Sequence, residues 1–112
     1  MRKSKYGNKK TTIDGFVFDS KREATRYQQL KLIVRAGVIS DLTLQPSYML
    51  QESFKINGKT IRAIKYVADF KYVENGVTIV EDVKGCLTDV YKLKKKLFLF
   101  KYGNELEFRE IF

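Results

Sequence analysis

Two aspartates and a lysine are spaced so that a hairpin would bring them together. Asn75-Gly76 separates two apolar, β-branched runs, which is the pattern of a two-residue hairpin turn. With this turn, opposed residue numbers sum to 151, so Asp69 faces Asp82, and Lys84 lies further along the same face. Opposed carboxylates roughly 5 Å apart repel each other unless a positive charge lies between them. The layout therefore suits a divalent cation with a water molecule beside it.

The residues around this set also have structural explanations. Glu81 is expected on the opposite face of its strand, so alternation selects the aspartate that follows it as the second acid. Lys84 and Lys71 could simply neutralise two surface aspartates. Ser20 and Glu23 fit a helix capping box, in which both side chains satisfy free backbone N–H groups of the first turn.

Composition limits the possible functions. With 112 residues, 44% of them hydrophobic, the chain is expected to form one domain. A net charge of +9 favours a polyanionic partner, and nucleic acid is preferred to a membrane because no apolar run is long enough to span a bilayer. The absence of histidine excludes imidazole chemistry. A single cysteine, Cys86, and no apparent signal peptide favour a cytoplasmic location.

The remaining pattern predicts an α/β (α+β) domain over residues 1–112, with helices flanking a mixed sheet. Residues 1–10 are expected to form a basic arm, and the last strand is expected to run parallel to the strand before it because a helix joins the two. Helical spacing places Val90, Leu93, Leu97 and Phe100 on one face of the second helix. The expected elements are a hairpin over 11–18, a helix over 20–36, extended segments over 42–46 and 48–54, strands over 60–73 and 77–84, a helix over 89–102 and a terminal strand over 106–112.

This order of elements and acids resembles the PD-(D/E)xK nuclease superfamily, whose restriction-endonuclease-like core has the order αβββαβ. Over about residues 7–102, the chain is similar to small phage-encoded proteins described as endonuclease-like or Holliday-junction-resolvase-like. The proline that often precedes the first aspartate is replaced here by Ala68. The segments that carry the resemblance are Phe18-Asp-Ser-Lys-Arg-Glu-Ala, Leu44-Gln-Pro-Ser, Tyr66-Val-Ala-Asp-Phe and Glu81-Asp-Val-Lys-Gly.

The resemblance implies Mg²⁺-dependent or Mn²⁺-dependent hydrolysis of DNA phosphodiester bonds. Asp69, Asp82, the carbonyl of Val83 and Glu23 would hold the cation, and Lys84 would orient the attacking water. The expected products are a 5′-phosphate and a 3′-hydroxyl. No small-molecule cofactor is expected.

The expected DNA partner is branched or duplex DNA, and cutting two strands in step would require a homodimer. The alternating side chains of Leu106, Phe108 and Phe112 could contribute to its interface. Two other classes stay open: a DNA-binding subunit that does not cleave, and a nuclease subunit active only within a larger complex. The candidates for contact with the DNA backbone are Tyr91, Lys92, Lys94, Lys95, Lys9 and Lys10.

Overall fold

A mixed four-stranded sheet, in the order β10-β9-β8-β3, carries one helix on each face in the computed structural model. The structure describes residues 10–84 and 87–112. The mixed sheet flanked by helices confirms the predicted fold class. The helices are α1 (Lys21–Arg35) and α2 (Asp89–Tyr102), and the strands are β1 (Thr11–Ile13), β2 (Phe16–Phe18), β3 (Ser40–Leu44), β4 (Ser47–Gln51), β5 (Phe54–Ile56), β6 (Lys59–Ile61), β7 (Ile64–Val67), β8 (Phe70–Glu74), β9 (Val77–Val83) and β10 (Glu107–Ile111).

Three tight turns set the hairpins, as the sequence predicts. In Asp14-Gly15, Asn57-Gly58 and Asn75-Gly76, both residues have positive φ, which is the type I′ geometry that matches the twist of paired strands. The last of these turns pairs β8 with β9, with Phe70 opposite Glu81. This pairing confirms the predicted register, because the opposed residue numbers sum to 151.

The long strand predicted over 60–73 is wrong. The segment is divided into β6, β7 and β8, because each part pairs with a different strand: β6 with β5, β7 with β4, and β8 with both β9 and β3. Strands β4 to β7 thus form an antiparallel excursion from the main sheet, ending at the Asn57-Gly58 turn. The chain re-enters the sheet at Ala68-Asp69, between β7 and β8.

Helix α1 begins where the sequence predicts. The Ser20 hydroxyl accepts a hydrogen bond from the Glu23 backbone N–H at 3.1 Å, so Ser20 is the N-cap. Ala24, Tyr27 and Leu30 are buried against one face of the sheet. This packing directs the first turn of α1, with Glu23, towards the end of the sheet where β8 begins.

Helix α2 covers the opposite face of the sheet, and β10 returns parallel to β9 as predicted. Thr88 caps α2 by accepting a hydrogen bond from the Tyr91 N–H at 3.1 Å. Tyr91 and Phe98 are the residues of α2 that pack into the core, around Tyr66. The stripe that begins with Val90 and ends with Phe100, which helical spacing marks as the apolar face, is exposed to solvent instead.

Within the described ranges 10–84 and 87–112, no helix has the length and apolar character required to cross a membrane.

Candidate active site

Asp69 lies at the break between β7 and β8. Its backbone N–H donates to the carbonyl of Glu81 at 3.1 Å, and its Oδ2 accepts from the Val83 N–H at 2.7 Å. The regular pairing of β8 with β9 ends at Phe70 and Glu81. The expected pairing of Asp69 with Asp82 is therefore not part of the ladder. Instead, Asp69 reaches across the end of β9. The two aspartates nevertheless remain near each other.

Asp82 is buried on the α2 side of the sheet, and its two carboxylate oxygens have different partners. Oδ1 is 3.0 Å from the Lys84 ammonium, and Oδ2 accepts a hydrogen bond from the Tyr66 hydroxyl. The expected placement of Asp82 and Lys84 on one face is therefore confirmed. Because both oxygens are engaged, the Asp82 carboxylate is held in one orientation.

Lys84 is held by its surroundings at both its backbone and its side chain. Its N–H donates to the carbonyl of Ile111 at 2.8 Å, and its carbonyl accepts from the Arg22 guanidinium at 3.2 Å. The ammonium lies 4.0 Å from the centre of the Tyr91 ring, within the range of a cation–π contact. A lysine fixed in this way can present its charge at a defined point beside Asp82.

Glu23 reaches the same region from the first turn of α1. Together with Asp69 and Gln45 it lines a cavity of about 320 Å³, whose outer wall is the β1–β2 hairpin. Gln45 has positive φ (51°), and its N–H donates to the carbonyl of Asp69 at 2.9 Å. The capping role of Ser20 uses the backbone of Glu23, so the glutamate side chain is left available to the cavity.

The acids of this site are held at an electrostatic cost. Burial, followed by the charges of Asp19 and Asp82, raises the pKa of Glu23 to about 7. Burial and then the charges of Asp82 and Glu23 raise the pKa of Asp69 well above its usual range. These shifts show that Glu23, Asp69 and Asp82 interact, and a bound cation would relieve the repulsion between them.

A network of hydrogen bonds around Glu110 positions the Tyr91 ring, which contacts the Lys84 ammonium. The Tyr91 hydroxyl donates to Glu110 Oε2 at 2.7 Å, and the Lys95 ammonium is 2.6 Å from Glu110 Oε1. Although partial burial acts in the opposite direction, these two contacts lower the pKa of Glu110. Because β10 is parallel to β9, Glu110 lies beside Asp82. The network therefore orders the Tyr91 ring under the Lys84 ammonium.

Tyr91, which was expected to contact DNA, is buried, and its hydroxyl donates to Glu110. The Lys95 ammonium pairs with the same carboxylate. Of the other proposed contacts, Lys92 and Lys10 are exposed and Lys94 is half-buried. The expected contact at Lys9 lies outside the described residues.

Sequence analysis did not identify Tyr66, Glu110 or Gln45 as parts of the site. Alternation along β7 places Tyr66 on the same face of the sheet as Asp82. Only the pairing of β7 with β4 brings it into contact with α2. Glu110 requires the register of β10 on β9, which the sequence does not specify. Glu81, in contrast, was correctly assigned to the opposite face, where it is fully buried and paired with Arg26.

The donor set consists of oxygen atoms, which suits a hard cation such as Mg²⁺ or Mn²⁺. Over residues 10–84 and 87–112, no three acids or cysteines already lie close enough to form a complete metal-binding group. Asp82 Oδ1 is in contact with the Lys84 ammonium, so a cation there would compete with that contact. The residues present fit such an ion, because their donor atoms are oxygens and because a cation would relieve the repulsion between their charges.

A model of the family described as "Protein of unknown function (DUF1064)" matches residues 3–110. This match covers nearly the whole chain, which therefore belongs to that family. No curated protein and no solved structure matches the chain significantly.

Proposed function

We propose that this member of the DUF1064 family is a metal-dependent DNA endonuclease, acting on branched DNA such as a four-way junction. The observation that carries the proposal is the convergence of Glu23, Asp69, Asp82 and Lys84 at one end of the sheet. Glu23 of α1, Asp69 between β7 and β8, and Asp82 of β9 lie near one another there, and burial together with the repulsion between their charges raises the pKa values of Glu23 and Asp69. Acids held together at such a cost are frequent at functional sites.

The carboxylates of Asp69, Asp82 and Glu23, with the carbonyl of Val83, would hold Mg²⁺ or Mn²⁺. When bound, the cation supplies Lewis-acid stabilisation of a phosphate and lowers the pKa of a coordinated water. The protein's own contribution is orientation. The Val83 N–H fixes one oxygen of Asp69, and the Tyr66 hydroxyl fixes one oxygen of Asp82.

Lys84 acts through its charge in this scheme. Its ammonium positions the attacking water and stabilises the negative charge that develops on the phosphate oxygens. The Tyr91 ring limits the positions that the ammonium can adopt, since the two are 4.0 Å apart. Hydrolysis leaves a 5′-phosphate and a 3′-hydroxyl.

Charge provides the affinity for DNA. The net charge is +9, and Lys92 and Lys94 lie on the helix that begins beside the site. Contacts of this kind are made with phosphates, so binding weakens with salt and carries little sequence information. Selectivity would then come from the shape of the DNA. The single cysteine and the DNA substrate favour a cytoplasmic location.

The test is cleavage by the purified protein of a labelled four-way junction and of a linear duplex with the same arm sequence. Each substrate is incubated with Mg²⁺, Mn²⁺ or EDTA. We expect metal-dependent nicks in the junction and a loss of at least about 10²-fold in rate for Asp82→Asn, the scale of losing a major electrostatic stabiliser. The matched control is Asp41→Asn, which changes an exposed aspartate of β3.

Metal-dependent cutting of both substrates would retain the nuclease and remove the preference for junctions. Binding without cleavage in every condition would overturn the proposal of a nuclease that acts alone.

A further inference from the structure

The outward face of α2 carries a continuous apolar stripe that nothing in the described chain covers. Phe100 is 89% exposed, the largest value among the large hydrophobic residues that the structure describes, and Val90 is 64% exposed. Leu93 and Leu97 lie between them, with 59% and 39% exposed. The buried residues of the helix, Tyr91 and Phe98, face the other way. Apolar stripes of this kind commonly mark contact sites.

We infer that this stripe pairs with the same stripe of a second copy of the chain, in antiparallel orientation. The inference depends on exposure and spacing and does not require the proposed nuclease function. The four residues have spacings of three, four and three, which is the heptad pattern of a helix that packs against another helix. A disordered segment would not need this period.

The order of side-chain sizes favours self-pairing with the helices antiparallel. Such pairing places Phe100 against Val90 of the other copy at both ends, and Leu93 against Leu97 in the middle. Each end layer joins a large side chain to a small one, and each middle layer joins two leucines. The layers therefore have similar volumes. Parallel pairing would instead place two Phe100 rings together and leave two Val90 side chains facing each other across a gap.

The area is sufficient for specific but weak association. With roughly 150–200 Å² for each side chain of this size when fully exposed, the stripe presents about 450 Å² on each chain. A symmetric pair would bury about 900 Å², and the half-exposed Leu87 with the aliphatic stems of flanking lysines brings this to about 1,000 Å², the lower limit for a specific interface. The interface expected from sequence was the last strand, with Leu106, Phe108 and Phe112. Leu106 and Phe108 pack against the α2-side core, whereas Phe112 is 68% exposed.

The effect of salt on association distinguishes a second copy of the chain from an acidic partner. Lys94 and Lys101 border the stripe, so two copies bring like charges together, and salt should strengthen their association. An acidic partner helix would bind more weakly as salt increases. The dimer is therefore distinguishable from both a heterologous partner and DNA.

The first experiment is sedimentation equilibrium of the full chain without DNA or added metal, at protein concentrations from about 1 to 200 μM, the range of a weak interface. We expect a monomer–dimer equilibrium that tightens when salt is raised. Leu93→Glu should shift the dissociation constant at least about tenfold, because it places a charge at the centre of the seam. The matched control is Leu32→Glu, which changes a leucine of α1 that is 64% exposed, and should leave association unchanged.

Orientation is tested by oxidative cross-linking in a Cys86→Ser background. The paired substitutions Val90→Cys and Phe100→Cys should give a disulfide-linked dimer, and Val90→Cys alone should not. A monomer at all concentrations, or equal losses for Leu93→Glu and Leu32→Glu, would overturn the inference. Cross-linking of Val90→Cys alone would overturn the antiparallel arrangement.

Discussion

Glu81 provides a demanding test of which acid belongs to the site, because it is adjacent to Asp82 and is buried to the same degree. Its side chain is fully buried on the α1 side, where it accepts hydrogen bonds from Arg26 Nε at 2.8 Å and Nη2 at 2.6 Å. The Tyr72 hydroxyl is a third donor. We predict that Glu81→Ala lowers the stability of the fold and leaves metal binding intact.

The expected magnitude follows from these contacts. Removing one partner of a buried, bidentate ion pair leaves the Arg26 charge without compensation and typically costs about 3–5 kcal/mol. Arg26 is about one-fifth exposed and can recover some hydration, so we expect about 3 kcal/mol. For a domain of this size, with a urea m-value of about 1–1.5 kcal/mol per M, the midpoint should fall by about 2–3 M. That loss is a large part of the total stability of a typical domain.

The assay is urea denaturation followed by circular dichroism, with Mn²⁺-induced stabilisation measured on the same samples. Asp82→Asn is the comparison: it should lose most of the Mn²⁺ effect. The double variant Arg26→Met/Glu81→Met should recover most of the stability lost in Glu81→Ala, because apolar side chains can replace a buried ion pair.

A loss below about 1 kcal/mol for Glu81→Ala would refute the structural role of the Arg26–Glu81 pair. Loss of Mn²⁺ stabilisation in a folded Glu81→Ala variant, with Asp82→Asn unaffected, would show that the second acid had been assigned to the wrong residue.

Three further predictions concern the site itself. The folded-state pKa values of Glu23 and Asp69 lie above their unfolded values, so without metal the native state keeps protons that the unfolded chain releases, and stability should fall as pH rises from about 5 to 8. Asp69→Asn should flatten this decline in thermal denaturation in EDTA; identical profiles for the variant and wild type would contradict the repulsion. Glu23→Gln retains the backbone contact with the helix cap, so the melting temperature in EDTA should be no lower than that of wild type while the rate of DNA cleavage falls; full activity would limit Glu23 to capping. Tyr91→Phe removes the hydrogen bond to Glu110 but keeps the ring, so single-turnover cleavage should fall by less than about tenfold, and Tyr91→Leu, which removes the ring under Lys84, should lower it further; equal rates for the two variants would exclude a role for the ring.

Local chemistry made much of the fold predictable. Asn75-Gly76 specifies a type I′ turn because both residues tolerate positive φ, and this turn fixes the register between β8 and β9. Alternation along β9 then separates Asp82 from Glu81. The caps at Ser20 and Thr88 are also local signals, since each hydroxyl accepts from an N–H three residues later.

The packing of α2 could not be predicted from its periodicity. The helix carries two apolar stripes, and helical spacing does not show which one is buried. The stripe with Tyr91 and Phe98 is buried because its rings fill the space around Tyr66 of β7 and Phe108 of β10. Such a match depends on tertiary shape, which the sequence of the helix alone does not contain.

The division of the segment 60–73 has a similar cause. Its apolar content is that of one long strand, but β7 and β8 take different partners on either side of Ala68-Asp69. The pairing of β8 with β9 follows from the local turn at Asn75-Gly76, whereas the pairing of β7 with β4 is non-local. The break matters for the site, because it frees Asp69 from the ladder and lets its carboxylate reach the Val83 N–H.

The central claim is that Glu23, Asp69 and Asp82 hold one divalent cation, and calorimetric titration of the purified protein with Mn²⁺ tests it most directly. We predict saturable binding to wild type and to the Asp41→Asn control, and binding at least about tenfold weaker for Asp69→Asn and for Asp82→Asn, since each loses a charged ligand. Absence of binding to the wild-type protein, or undiminished binding to both site variants, would contradict the account.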